Sequence, residues 1–219
     1  MSIRAMQQRN APSRFGIVIY ADVEPIDIGG TVGIISMARR VLPAIESVTI
    51  AARSGPVRLA GGLSVVAQFG FHDHPPCDCF IVCGGPGWRA QVTDQAMLAF
   101  LRRLPGGSAA SVCTGGLILA AAGLLDGKRA TTRRHAAGAE PAAPLARLGT
   151  LAPTAEPIAA AIVDDRGIVT SGGVSLAIDG TLYLIGRQYG EDVRDEIARV
   201  IEYDRAFAAN RAALGHFVA

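Results

Sequence analysis

Long hydrophobic runs are missing from this chain. Its longest helical apolar stretch, Leu117 to Leu125, is nine residues, against the roughly 20 needed to cross a bilayer. Charge of one sign is missing too: 21 Lys and Arg stand against 19 Asp and Glu, a formal net charge of +2, which gives no basic bias of the kind nucleic acid selects. Charged residues make up only 18% and hydrophobic ones 50%, which excludes a disordered chain. Four cysteines behind the leading segment MSIRAMQQRN, which does not read as a signal peptide, predict a cytoplasmic, reducing location and no disulfide framework. His72, His74, Cys77, Cys79 and Cys83 crowd one stretch, but their spacing fits no standard zinc pair and the last two fall within a strand, so no metal is expected. No internal repeat is visible. These absences speak against a membrane or nucleic-acid partner; a small-molecule substrate is the expected partner.

At 219 residues the chain suits one large α/β domain with a sizeable core. Residues 1–14 read as a mobile extension, 15–205 as the domain and 206–219 as a C-terminal tail. Phe15 to Tyr20 is an unbroken β-branched and aromatic run, the pattern of a strand buried on both faces of a parallel sheet. Further strands are expected at Glu46 to Ala52 and Asp78 to Cys83, with a hairpin excursion turning at Gly61-Gly62 and another hairpin around Asp164 to Gly167. Thr93 or Asp94 caps the helix that follows, Ser175 introduces a long helix, and Asp192 to Phe207 reads as one last amphipathic helix. The fold class is therefore α/β, a doubly wound, mostly parallel sheet sandwiched by helices.

The reactive candidate is Cys113. A short strand precedes it, and Thr114-Gly115-Gly116 then turns into an apolar helix running to Leu125, the order of a nucleophile elbow. The first helical N–H groups are expected to lower the thiol pKa and hold a thiolate; a buried structural cysteine is the alternative. Asp22 and Glu24 read as solvated loop residues. Asp27, flanked by Ile26 and Ile28, is expected to be drawn inward, where a raised pKa suits proton transfer. The turn Gly84-Gly85-Pro86-Gly87 allows close approach of a ligand, and its N–H groups are expected to stabilise negative charge near Cys113. Arg133, Arg134 and His135 form a basic cluster that is either a solvated face or an anion contact. His135, 22 residues beyond Cys113, leaves a Cys/His pair open.

Taken together, PIDIGG after the first strand, CGGPG, SVCTGG, AAAGLLDGKRATT and TSGGVSLAID resemble, in order and spacing over residues 15–205, the ThiJ/PfpI superfamily, whose domain is like that of class I glutamine amidotransferases. Within it, Thr114 and the aspartate of PIDIGG look most like isocyanide hydratases, and similar features occur in the ligand domains of AraC-type regulators. Arg133-Arg134 stands where the hydratase-like pattern usually has His-Trp, and Thr31 where a proline is usual. The resemblance implies Cys113, Asp27 and Thr114 as catalytic residues, Gly84, Gly85, Gly30 and Ser175 against the substrate, no cofactor, and a homodimer. It implies hydration of an isocyanide to an N-substituted formamide through a thioimidate. The alternatives are a non-catalytic ligand-sensing domain, glyoxalase-type chemistry on small aldehydes, and oxidation at Cys113.

Overall fold

The computed structural model describes residues 9–219. Its centre is a seven-stranded sheet in the order β11-β9-β10-β6-β5-β1-β2. β1 (Ser13–Val18) takes the place expected from its apolar run, with Phe15, Ile17 and Val18 wholly buried; burial of each such side chain contributes about 1.5 to 3 kcal/mol. β1 pairs in parallel with β2 (Ile45–Ile50) on one side and with β5 (Cys79–Val82) on the other. β6 (Ala109–Ser111) and β10 (Ile168–Ser171) continue the parallel set. Only β9 (Ile162–Asp165), the hairpin partner of β10, and β11 (His216–Val218) run the other way. The chain steps from β1 out to β2 and then returns to β5 across β1, and ligands of open α/β sheets bind where the winding reverses, at the carboxyl ends of the strands.

One face of the sheet carries α1 (Pro25–Ile28), a π-helical turn (Gly29–Gly33), α2 (Ile34–Ala38) and, packed near them, a long helix from Leu176 to Tyr189. The other carries α3 (Trp88–Gln91), α4 (Gln95–Arg102), α5 (Gly115–Ala121) and α6 (Pro144–Leu151). The long helix is α7. Asp94 caps α4 by accepting the Met97 N–H at 2.9 Å, an arrangement that stabilises a helix by about 1 kcal/mol. The expected excursion is β3 (Gly55–Arg58) antiparallel to β4 (Ser64–Ala67). β7 (Arg129–Ala130) and β8 (Glu156–Pro157) form a separate short pair.

Three expectations need correction. The last helix is two, α8 (Glu191–Val200) and α9 (Asp204–Leu214), because Glu202 adopts a left-handed φ of 56° between them. The segment 206–219 is not a separate tail: α9 packs on α8, and β11 pairs with β9 inside the main sheet. Of the extension 1–14, residues 1–8 lie outside the described residues, whereas Ser13 and Arg14 belong to β1 and Arg9 pairs with Glu196 at 2.7 Å. Among the described residues, no helix is long and apolar enough to cross a membrane.

Candidate active site

Three loops leave the carboxyl ends of adjacent strands β1, β5 and β6 and meet at one place. β6 ends at Ser111, and Cys113 follows with a φ of 52°. A residue other than glycine rarely adopts this left-handed backbone, and such strain persists only where surrounding bonds enforce it. Here the Cys113 N–H donates to the Gly172 carbonyl at 3.1 Å, and its own carbonyl accepts from the Thr132 hydroxyl at 2.6 Å. Thr114 then starts α5. Gly173 completes the cradle: a Cβ there would lie 2.9 Å from the Cys113 sulfur and 2.7 Å from Arg133 Cβ.

Asp27 comes from the β1 side. It sits in α1, two residues before the π-helical turn, and is wholly buried. Thr31, in the position where the resembling family usually has proline, donates its hydroxyl to the Asp27 carbonyl at 2.8 Å. Asp27 Oδ2 accepts the Gly84 N–H at 2.7 Å, whereas Oδ1 is buried with no hydrogen-bond partner among the described residues. The Gly85 N–H donates to Thr114 Oγ1 at 2.9 Å. A Cβ on Gly84 would sit 2.5 Å from the Thr114 nitrogen and 2.8 Å from Asp27 Oδ2, so only glycine lets these three loops close on one another.

These contacts correct the expected role of the glycine turn. The N–H groups of Gly84 and Gly85 do not face an open site for negative charge; they are committed to Asp27 and Thr114. They hold the acid and the threonine in place.

The electrostatics correct the expected thiolate. Burial, reinforced by the Asp27 carboxylate, pushes the Cys113 thiol up to about 12, against the opposing pull of the Thr114 N–H, Arg133 and the Thr114 hydroxyl. Desolvation outweighs the seven-residue helix behind the sulfur and favours the neutral thiol. Burial likewise raises Asp27 to about 7, with Glu24 adding to the rise and the Gly84 N–H, the neighbouring Cys113 side chain and Arg133 opposing it. Cys83, the next buried thiol, contacts Thr31 Oγ1 at 3.8 Å and is pushed upward by burial and by Asp27.

Above this floor opens a cavity of about 640 Å³ whose lining includes Cys113 and Thr114, although Cys113 as a whole is only 3% exposed. Gly85, Pro86, Trp88 and Val174 supply an apolar wall. Glu24 also lines the cavity, where the sequence suggested plain solvation. Arg133, Glu140 and Arg89 also line it. Arg133 Nη2 donates to both Glu140 carboxylate oxygens at 2.8 and 2.7 Å, and Arg89 reaches the same carboxylate at 3.0 Å. Although partial burial works against it, the Ala137 N–H and the two guanidinium groups hold Glu140 down to about 2.

The structure does not bring every expected residue to this cavity. Gly30 is a packing position: a Cβ there would lie 2.7 Å from Ala177 Cβ, because the π-helical turn presses on α7. Ser175 is exposed at the start of α7 and does not line the cavity. His135 is exposed and meets Arg133 only through its carbonyl, at 2.6 Å, so the Cys/His pair left open by the sequence is not formed. His72, His74 and the cysteines beside them do not converge, and among the described residues no group of three metal-ligating side chains is found. Arg133 faces the site while Arg134 does not.

Comparison with known proteins gives the following. The family model described as the DJ-1/PfpI family matches residues 16–186. The isonitrile hydratase of Pseudomonas putida is 31% identical over 192 residues, which cover 87% of this chain and 78% of that protein. The HTH-type transcriptional regulator GbdR of Pseudomonas aeruginosa is 30% identical over 205 residues, covering 91% of this chain but 53% of the regulator. Among solved structures, a THiJ/PfpI family protein from Pseudomonas syringae superposes with a TM-score of 0.76 at 25% identity, covering 93% of this chain and 81% of that one.

Proposed function

Because this chain belongs to the DJ-1/PfpI family, we propose that it hydrates an isocyanide to the N-substituted formamide, with Cys113 as nucleophile and Asp27 as the proton carrier. The observation that supports this most is a wholly buried carboxyl, one oxygen of it without a partner among the described residues, beside the Cys113 thiol; the thiol lines a mostly apolar cavity, and the carboxyl itself does not. Similarity to the isonitrile hydratase agrees with it.

The chemistry follows from where the proton sits. The reactive form has a Cys113 thiol and an Asp27 carboxylate. As the sulfur attacks the terminal carbon of R–N≡C, Asp27 takes the thiol proton and returns it to that carbon, leaving the thioimidate R–N=CH–S–Cys113. Asp27, again a carboxylate, removes a proton from water as the oxygen adds to the same carbon and passes that proton to the nitrogen, giving R–NH–CH(OH)–S–Cys113. Collapse breaks the C–S bond, transfers the hydroxyl proton to the departing sulfur, and releases R–NH–CHO with the thiol restored. A resting thiol serves this sequence well, since one proton suffices for both transfers and no bulk acid is consumed. Thr114, held by Gly85, flanks the sulfur.

The direct test is turnover of several isocyanides, with formamide as the readout, beside methylglyoxal with lactate as the readout. Isocyanide turnover is expected, with kcat/KM rising about tenfold per pH unit up to pH 7, where Asp27 loses its proton, and level above. A rate that falls through pH 7 would remove the carboxylate from the base role. The similarity to GbdR favours a second reading, a sensor domain that binds without turnover; tight binding of a small molecule with no product of either kind would select it. The homodimer implied by the family resemblance and the cytoplasmic location expected from the cysteines and the leading segment belong to the same proposal. Ile26, Leu63 and Val66 are exposed apolar side chains available to an interface, and sedimentation at one chain's mass would remove the dimer.

A further inference from the structure

The cationic wall of the cavity already has an occupant. Arg133 enters beside the sulfur, since its Cβ and Cγ crowd the same glycine as Cys113 Sγ. A guanidinium there, with Arg89 behind it, would ordinarily receive a substrate carboxylate in a two-pronged contact. Glu140 takes that position instead. It reaches in from the exposed, small-residue segment 136–139, binds Arg133 through both oxygens, bridges to Arg89, and accepts the Ala137 N–H at 2.9 Å. Arg133 and Glu140 side chains are 15% and 12% exposed, so the pair is shielded from bulk water on most sides.

We infer that Glu140 acts as an internal carboxylate that fills the Arg133 site and restricts the cavity to substrates with an uncharged, apolar substituent. Two carboxylates, Glu24 and Glu140, balance two guanidinium groups in the lining, so an incoming anion meets no net positive charge. An anion displacing Glu140 would have to compete with a group tethered at an effective concentration of about millimolar or higher, and would leave the displaced carboxylate unpaired. A neutral substituent needs no displacement and packs against Trp88, Pro86 and Val174. For the identity of the reacting group this rests on the hydratase reading; the selection by charge does not need it.

Binding therefore tests the selection, and turnover tests the reaction. Titration calorimetry with formanilide and with 4-formamidobenzoate compares two ligands that differ only by a carboxylate. The wild-type protein is expected to bind formanilide more tightly. Glu140→Gln keeps the size of the side chain and removes its charge. It is expected to strengthen 4-formamidobenzoate binding by about 10 to 100-fold, the range of a hydrogen bond to a charged group, with formanilide changed little. Adding Arg133→Met to Glu140→Gln is expected to abolish the gain, which assigns it to the guanidinium and not to a loosened loop. Equal affinity of the wild type for both compounds, no gain in Glu140→Gln, a gain that survives loss of Arg133, or binding of neither compound to any variant would each overturn the inference. Phenyl isocyanide and 4-isocyanobenzoate, the matching substrates, are assayed in parallel. No turnover of either with the binding preference intact removes the hydratase reading alone.

Discussion

Replacing Asp27 with asparagine is expected to lower isocyanide turnover by about 100 to 10,000-fold, the range of a lost general acid–base, while making the protein more stable at pH 8. The two effects share a cause. The Asp27 carboxyl is raised from 3.8 to about 7, first by burial. A folded-state pKa above the unfolded one means that the native state prefers the neutral acid. That stabilisation is complete below about pH 4, declines as pH rises, and is gone once pH passes about 7. Asparagine resembles the neutral acid at every pH and still offers an oxygen to the Gly84 N–H. The difference between variant and wild type should therefore be near zero at pH 3.5 and grow to about 2 to 4 kcal/mol above pH 7. Urea unfolding at pH 5 and pH 8 measures it. An asparagine variant less stable than wild type at pH 8 would contradict the picture of a desolvated carboxylate kept for reactivity at a cost in stability.

Cys113→Ala is expected to reduce turnover at least about 10,000-fold, equivalent to roughly 5.5 kcal/mol of transition-state stabilisation, because among the described residues the cavity wall holds no other sulfur. The thioimidate arises by insertion of the isocyanide carbon into the S–H bond. An acid-quenched wild-type reaction should thus carry a peptide containing Cys113 heavier by the mass of one isocyanide, and the alanine variant should show none. Retention of more than about one per cent of the activity, less than 3 kcal/mol of effect, would mean that water is activated without covalent help. Cys83 cannot substitute, since it is wholly buried against Thr31 and does not line the cavity.

Much of this arrangement was legible in the sequence, and the remainder was hidden for physical reasons. The β-branched run at Phe15 to Tyr20, the cap at Asp94 and the turn at Asp164 to Gly167 are local signals, written in residue types that act on their own backbone. The elbow at Cys113 is of the same kind; Asp27 does lie inside as expected, but its flanking isoleucines do not draw it there, since Ile26 is 54% exposed. The charge of the sulfur is not local: it depends on how much water the folded loops exclude, and burial outweighed the short helix behind the thiol. The N–H groups of Gly84 and Gly85 were visible as donors, but their acceptors lie 57 and 29 residues away, beyond any local pattern. Arg133 and Glu140 are seven residues apart across a stretch with no periodicity. A lone carboxylate in Ala136 to Ala143, just after a basic pair, was the one available hint. The break between α8 and α9 was missed because the amphipathic pattern continues through Glu202, where only the backbone angle changes.

The two groups proposed to make and break bonds follow the ends of β1 and β6 and are braced by the loop after β5 between them, whereas the groups that would face the rest of a substrate come largely from the outer helix α3 and the segment 136–141. The first set inherits the stiffness of the sheet; the second can be exchanged without disturbing it. Descent with altered taste is the natural outcome of such a layout: a lineage can rewrite what it accepts by editing surface chain while the reacting pair passes unaltered from one specialist to the next.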